Sequence, residues 1–429
     1  MISVFFYILA TLLLSLNSFR YFGLPVSDWL YLFALLSGFI KTANSKIDLA
    51  VWIPNRVFFW AAMLISLGAL VSLVNSKNTT VALLELFQQI YVITAFISLT
   101  FLMVKKDQTE LVITVFVFSG VFAGLIAVVD YFWGTNYGPM LSGNPLFFYR
   151  GRYAGPLGHP NKLGYFLVLS SILTMYKFRA AWNNGKNLGS IIILLFFLIV
   201  QCIGIYASGS VTAYIGMLFG LVCVLFVNSS LRIRKLLLFL LYIIVIAILL
   251  INIIWVNAIY NPQWQISERS LIGIGMNRVL NITSGERIYL YKLSIDYISQ
   301  SPIIGIGFDQ NASSGISQEA RILTGSVHNI LLQIWYIGGI FAFLGWLIVH
   351  FQIAKIAVIN VFQHSAKMTI LGNYLSAAVL SSVIMDQFQN GIYQREKWLV
   401  IGMLVSWSWV NQNYKRGKKS LVPLGNTLI

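Results

Sequence analysis

Leu111–Trp133 reads LVITVFVFSGVFAGLIAVVDYFW, with Asp130 as its one ionisable acid. As a helix rising about 1.5 Å per residue, this stretch crosses the roughly 30 Å hydrocarbon core of a bilayer. Comparable apolar stretches recur on both sides of it. Before it lie Ser3–Phe19, Trp29–Ile40, Val57–Val74 and Val81–Val104; after it come Leu163–Tyr176, Ile191–Tyr206, Val211–Val227 and Leu236–Trp255. Ile330–Val349, Ile370–Met385 and Trp398–Val410 complete the set, about twelve spans in all. With 58% apolar and 10% charged residues and a mean hydropathy of +0.79, the chain is no ordinary soluble domain, where about a quarter of residues are charged. The expected fold is an all-α polytopic membrane bundle, a single domain over residues 1–429.

Basic residues set the expected orientation, because short cytoplasmic loops collect them. With both termini cytoplasmic, the inner loops hold Lys41, Lys46 and Arg56, then Lys105 and Lys106, then Lys177, Arg179 and Lys186. Arg232, Arg234 and Lys235 follow, then Lys355 and Lys367, then the tail Lys415, Arg416, Lys418 and Lys419. Outer loops before the fifth span hold only Arg20 and Lys77. The net charge of +16 is thus partly a topology signal, and a basic tail beside a span points to anionic lipid rather than nucleic acid. Cys202 and Cys223 fall inside spans, so neither a disulfide framework nor a zinc site is expected. The first apolar segment lacks a basic leader and a small-residue cleavage site, so it is expected to stay as the first span.

Two outer loops have the length to carry chemistry. The first, 134–161, contains Arg150-Gly-Arg152-Tyr-Ala-Gly-Pro-Leu-Gly-His159-Pro-Asn161, whose glycines and prolines forbid a simple helix and predict turns. The second, 257–327, ends at His328 and is long for a bare connection. Within it Ile288, Tyr291, Leu293, Ile295 and Ile298 predict an amphipathic helix between Arg287 and Pro302, lying along the membrane surface.

His159 and His328 fall on the outer side, each beside an asparagine and the start of a span, while His350 and His364 read as an inner loop. A neutral imidazole at His328 suits proton abstraction near neutral pH; the bland alternative is a helix cap. Arg152 and Arg287 offer planar donor forks for phosphate oxygens, with Arg150, Arg269, Arg278 and Arg321 nearby; the alternative is lipid anchoring or pairing with local carboxylates. Glu85, with Gln88 and Gln89 one turn on, and Asp130 each admit a functional or a structural reading. Asp309 follows a glycine turn, and Asp386 and Glu396 flank a shorter outer loop. No clustered carboxylate set suggests a divalent metal, so metal-independent chemistry without a cofactor is expected.

Three segments resemble the O-antigen ligase and polymerase family of bacterial envelopes. They are Arg152 through His159-Pro-Asn161-Lys-Leu-Gly164; Arg287 through Ser301-Pro-Ile-Ile-Gly305-Ile-Gly307; and His328-Asn329 with Gly339 beyond. One departure is visible: Ala207-Ser-Gly-Ser210 stands where many relatives carry a Ser-Arg pair. The resemblance implies a glycosyltransferase in the bacterial inner membrane that draws glycan from undecaprenyl diphosphate and passes it to a glycan or lipid acceptor. By matching position it implies that Arg152 and Arg287 hold the diphosphate and that His328 is the general base, with inversion at the anomeric carbon. His159, Asn161 and Asn329 would orient, and Arg150 and Arg321 would assist with phosphate. A ligase-like reading leads, and a polymerase of lipid-linked repeats is the alternative. A flippase or exporter of the same lipid-linked glycan is a third reading; it should show repeat symmetry or interrupted spans, and neither is evident in the sequence. A structural partner of a glycan assembly complex is the fourth.

Overall fold

The structure, a computed structural model, describes residues 2–16, 20–21, 24–43, 56–102, 106–141, 152–228, 285–311, 328–362, 369–389, 391–392 and 394–415. Nine helices occupy the described part of the first half: α1 (Ile2–Leu12), α2 (Val26–Ala43), α3 (Arg56–Ser72), α4 (Thr79–Leu102), α5 (Lys106–Trp133), α6 (Tyr137–Leu141), α7 (Pro160–Asn183), α8 (Leu188–Ser208) and α9 (Val211–Asn228). Four follow: α10 (Gly285–Gln300), α11 (Ile330–Phe362), α12 (Thr369–Met385) and α13 (Arg395–Lys415). The described strand structure is one short antiparallel pair, Arg20–Tyr21 with Leu24–Pro25. Every expected span but the ninth coincides with a helix over its described residues; Leu236–Trp255 lies outside them.

Four helical stretches are long and apolar enough to cross a membrane: Arg56–Asn75, Gln108–Trp133, Leu188–Ser208 and Ile330–Asn360. Shorter apolar helices stand beside them at Ile2–Ser15, Val26–Gly38, Thr79–Ile93, Val211–Phe226 and Ile370–Met385. The bundle is turned inside out relative to a water-soluble one. On α8, Ile192, Ile193, Leu195, Phe196 and Ile199 are exposed, whereas Gln201 is fully buried. Gln201 donates to Ser170 Oγ (2.8 Å) and accepts from Thr174 Oγ1 (3.0 Å) across the α7–α8 contact. On α3, Phe59, Trp60, Met63, Leu67 and Leu70 face outward while Phe58, Ala61 and Ile65 are buried. A continuous apolar exterior over a hydrogen-bonded polar interior is what hydrocarbon favours, since polar side chains there must find partners inside the protein. These helices mark a multi-pass membrane protein.

The expected span Ile330–Val349 is not one straight helix. Gly339 interrupts α11 with φ 65°, ψ −167°. Ile330 N–H donates to Asp386 O (3.2 Å), and His350 Nε2 lies 3.3 Å from the carboxylate of the same Asp386. A straight helix would hold Ile330 and His350 about 30 Å apart. The two halves of α11 therefore fold back on each other, and the rings of Trp335 and Phe343, either side of the break, stack with centroids 4.5 Å apart.

The turn after α10 fills that break. Ile306 N–H and Gly307 N–H donate to Tyr336 O (2.8 Å) and Ile337 O (3.0 Å), while Ile340 N–H donates to Ile303 O (3.2 Å). Backbone groups freed by the interruption are thereby paired, as burial demands. A Cβ at Gly339 would stand 2.0 Å from Ile303 O, so only glycine fits both the contact and the left-handed conformation. Gly339→Ala is expected to cost upwards of about 1–3 kcal/mol from the backbone conformation alone, read as a lowered apparent Tm in detergent. An unchanged Tm would mean that the turn does not lock the break.

The helix expected between Arg287 and Pro302 is present as α10, and its fit to the pattern is partial. Tyr291, Tyr297 and Ile298 pack against the core, but Ile295 is exposed.

Candidate functional site

Over its described residues, 134–141 and 152–161, the first loop holds the short helix α6 and a 3-10 turn at Gly155–Leu157. Asp130 is a structural acid: its carboxylate accepts from Thr135 Oγ1, Tyr137 N–H and Gly138 N–H at 2.7–2.9 Å, fixing the start of α6. Asp309 likewise accepts from Lys77 N–H and Asn78 N–H at 2.9 Å, holding the chain just before α4, whose cap is Asn78: its Oδ1 accepts from Val81 N–H at 3.1 Å. Glu85 is half-buried on α4 and Gln89 is buried one turn on.

His159 is the N-cap of α7. Its backbone is extended (φ −151°, ψ 129°), Pro160 takes the first helical position, and Nδ1 accepts from Asn161 N–H at 3.1 Å. Asn161 in turn accepts from an Arg152 guanidinium NH2, and Arg152 Nε–H donates to Ser208 O at 2.9 Å. The guanidinium is thus gripped on two sides. Ser208 belongs to the tight turn between α8 and α9 where the Ser-Arg pair of relatives is missing. That turn is the seat of Arg152: Tyr153 N–H donates to Ala207 O (3.1 Å), and a Cβ at Gly209 would press on Arg152 Cγ at 3.2 Å.

His328 enters the same neighbourhood from α11. It has φ 54°, the one positive φ outside glycine among the described residues. Such a conformation costs a histidine of order 1 kcal/mol, which the surrounding structure has to offset. The cap of α11 is not His328 but Asn329, whose Oδ1 accepts from Leu331 N–H and Leu332 N–H at 3.0 Å while Nδ2 donates to Gln387 O at 3.3 Å. His159 senses His328, Arg152 and Lys162 electrostatically. Removal from water, then the Lys162 and Arg152 cations and the nearby His328, push its pKa down to about 3. It is a neutral hydrogen-bond acceptor in the folded chain.

A stability prediction follows from that shift. The unfolded imidazole titrates near 6.5, so its folded form binds fewer protons below that value. The contribution of His159 is fully present above about pH 6.5 and is lost as pH falls from there towards about 3. His159→Asn keeps a capping acceptor, so it is expected to flatten the Tm–pH profile between about pH 6.5 and 4. Coincident profiles would contradict the assignment.

Asp386 and Glu396 do not flank an exposed outer loop. The segment between α12 and α13 is sunk into the bundle, with Asp386 1% and Lys397 2% exposed. Asp386 accepts from Lys397 Nζ (2.9 Å) and from Tyr165 OH (3.2 Å), and His350 Nε2 lies against it. His350 is thus inside the bundle, not in an inner loop; Trp346 O faces its Nδ1 at 2.9 Å. His364 lies outside the described residues. Burial alone would raise the Asp386 carboxyl, but Lys397 and His350 outweigh it and hold the group below the ordinary carboxylate value. Beside this triad, Arg395 forks onto both oxygens of buried Asp28. Tyr91 OH donates to Asp28 O (3.2 Å), and Tyr91 lies about 18 Å along α4 from Thr79. Gln389, Gln394 and Glu396 are 3%, 6% and 6% exposed, and both amide atoms of Gln389 and one oxygen each of the other two have no hydrogen-bond partner among the described residues. Each orphan of this kind costs about 1–3 kcal/mol.

The starts of α7 and α9 adjoin through Arg152, and His328 at the start of α11 lies within electrostatic reach of His159. Each of these helix starts presents the positive end of its dipole, so the site suits an anion. Of the residues picked out from the sequence, Arg152, His159, Asn161, His328 and Asn329 come together. Arg287 lies in the first turn of α10, which packs on α11 through Tyr297 and Tyr336. Arg150 and Arg321 lie outside the described residues, as do Arg269 and Arg278. Sequence reasoning missed the pairing of Asp386 with Lys397 and His350, of Asp28 with Arg395, and the place of Lys162. Among the described residues no group of three or more His, Cys, Asp or Glu is placed to hold a metal ion.

Residues 193–347 match the model of the O-antigen ligase family. This chain resembles that family by motif and by family model alike. The O-antigen ligase match takes in the Arg152 seat, Arg287, the turn at 302–307, His328 and the Gly339 break, while Arg152 itself and the sunk segment after α12 lie outside it. A search of curated proteins returns no match.

Proposed function

We propose that the chain is an O-antigen ligase-like glycosyltransferase of the bacterial inner membrane, with about twelve spans and both termini cytoplasmic. It moves an oligo- or polysaccharide from undecaprenyl diphosphate to an acceptor hydroxyl at the outer face. The observation that carries this reading is the convergence of Arg152, His159 and Asn161 with His328 and Asn329.

In the proposed reaction the acceptor oxygen attacks the anomeric carbon as its proton passes to His328. The bond from that carbon to the diphosphate oxygen breaks, and undecaprenyl diphosphate leaves with the electron pair. Arg152 and Arg287 meet the charge that develops there, and fixed donors in a partly dry site need no reorganisation as it forms. Attack opposite the leaving group inverts the anomeric centre. His159, neutral and bonded to Asn161, keeps that asparagine against Arg152.

A reconstitution with undecaprenyl-diphosphate oligosaccharide, resolved by gel, separates the subclasses. Product that forms only when a separate acceptor is added supports the ligase; a ladder from the donor alone supports the polymerase. The broken span at Gly339 is the one observation that favours a transporter, and donor left intact with every acceptor supports that reading instead.

A further inference from the structure

We infer that Tyr165 is a positioning residue, whose hydroxyl sets the proposed base His328 against the Arg152 seat. The inference rests on the transferase reading and deepens it. Tyr165 is fully buried on α7, one turn beyond Asn161 and on the same face of the helix. Asn161 is the residue that grips Arg152. The Tyr165 hydroxyl reaches the end of α12, where Asp386 Oδ1 lies at 3.2 Å and Ser382 O at 3.3 Å. The same end of α12 holds the start of α11. Asp386 O accepts from Ile330 N–H (3.2 Å) and Gln387 O accepts from Asn329 Nδ2 (3.3 Å), so both residues that follow His328 are bonded to it. One hydroxyl thus joins the helix that carries the arginine's partner to the segment that carries the histidine.

The anchor that Tyr165 binds is fixed independently. The other oxygen of Asp386 accepts from Lys397 Nζ (2.9 Å) and lies 3.3 Å from His350 Nε2. Removing the hydroxyl therefore leaves the buried carboxylate paired, and a phenyl ring keeps the packing. What is lost is the fixed spacing between the starts of α7 and α11. Catalysis is sensitive to such a loss, because about 1 Å of misplacement costs about 10²-fold in rate.

Tyr165→Phe tests this, with Thr174→Val as the comparison. Thr174 lies further along α7 and donates to Gln201 Oε1 (3.0 Å) on α8, so its loss loosens the same helix away from the site. The inference predicts that Tyr165→Phe lowers single-turnover transfer by about 10- to 10²-fold while donor Kd stays at the parent value. It also predicts faster carbethoxylation of His328 by diethyl pyrocarbonate in the full chain in detergent, mapped by peptide mass spectrometry, as the half-buried imidazole loses its seat. Thr174→Val should change neither rate. A hydroxyl with only a structural role lowers Tm and leaves both rates of the folded chain unchanged, which overturns the inference. A His328 carbethoxylation rate in Tyr165→Phe no higher than the parent's overturns it too, whether or not the parent transfers glycan. An equal rise in Thr174→Val does the same. Faster carbethoxylation confined to Tyr165→Phe, where the parent never cleaves donor, keeps the positioning role and removes the transferase reading alone.

Discussion

His328→Gln will lower glycan transfer by about 10²- to 10⁴-fold, the usual worth of a positioned general base, while leaving lipid-linked donor binding within a few-fold of the parent. The reasoning runs from backbone to chemistry. His328 is held at φ 54° immediately before the Asn329 cap, and Asn329 carries the hydrogen bonds that start α11. Removing the imidazole therefore leaves the helix start intact. A drop in the chemical step with a preserved Tm assigns the loss to proton transfer. A parallel loss of Tm and activity would return His328 to a structural role. Donor affinity should instead track Arg152, whose guanidinium is fixed by Ser208 O and Asn161. Single-turnover rates alongside equilibrium binding of the donor separate the two contributions.

Lys397→Ala will destabilise the chain by about 3–5 kcal/mol, because it leaves the Asp386 carboxylate buried without its ammonium partner. The Lys397 ammonium also stands 5.6 Å and 5.0 Å from the ring centroids of Trp346 and Trp398, so the truncation loses aromatic contacts too. Replacing both partners with apolar residues of similar volume, Asp386→Leu with Lys397→Met, should recover most of that stability, since the pair repays a desolvation cost that the double variant never meets. The sign with pH is fixed by the same contacts. Asp386 is held below its unfolded value, so its contribution is present above about pH 3.9 and falls away as pH drops below that. Thermal unfolding in detergent of the two single variants and the double variant checks this. A double variant no more stable than Lys397→Ala would show that the pair does not act as a unit.

The helices were legible because hydrocarbon permits so few solutions: apolar runs near bilayer length have to be helices. Leu111–Trp133 sits inside α5 and Leu163–Tyr176 inside α7 for that reason. The interruption at Gly339 was not legible, since Ile330–Val349 has the composition of an uninterrupted span and only the docked turn at 303–307 reveals why a glycine stands there. The same limit applies to Asp386–Lys397. A run such as Asp-Gln-Phe-Gln-Asn-Gly-Ile-Tyr-Gln-Arg-Glu-Lys between two apolar helices reads as a wet loop, because polarity alone does not tell a sunk floor from a solvated rim. His350 was misplaced by the same error, as the fold-back of α11 carries it to Asp386. His159, Asn161, His328 and Asn329 were legible because each stands beside a helix start, where turn residues and caps are visible in the sequence, while Arg152 stood out by its guanidinium in an outer loop.

The most direct measurement is release of undecaprenyl diphosphate from a lipid-linked oligosaccharide labelled in its lipid, with the purified chain in proteoliposomes. The account predicts acceptor-dependent release by the parent chain and about 10²-fold less, or none, by His328→Gln. Labelled donor that crosses to the other leaflet with its glycan still attached, equally in both chains, would contradict it.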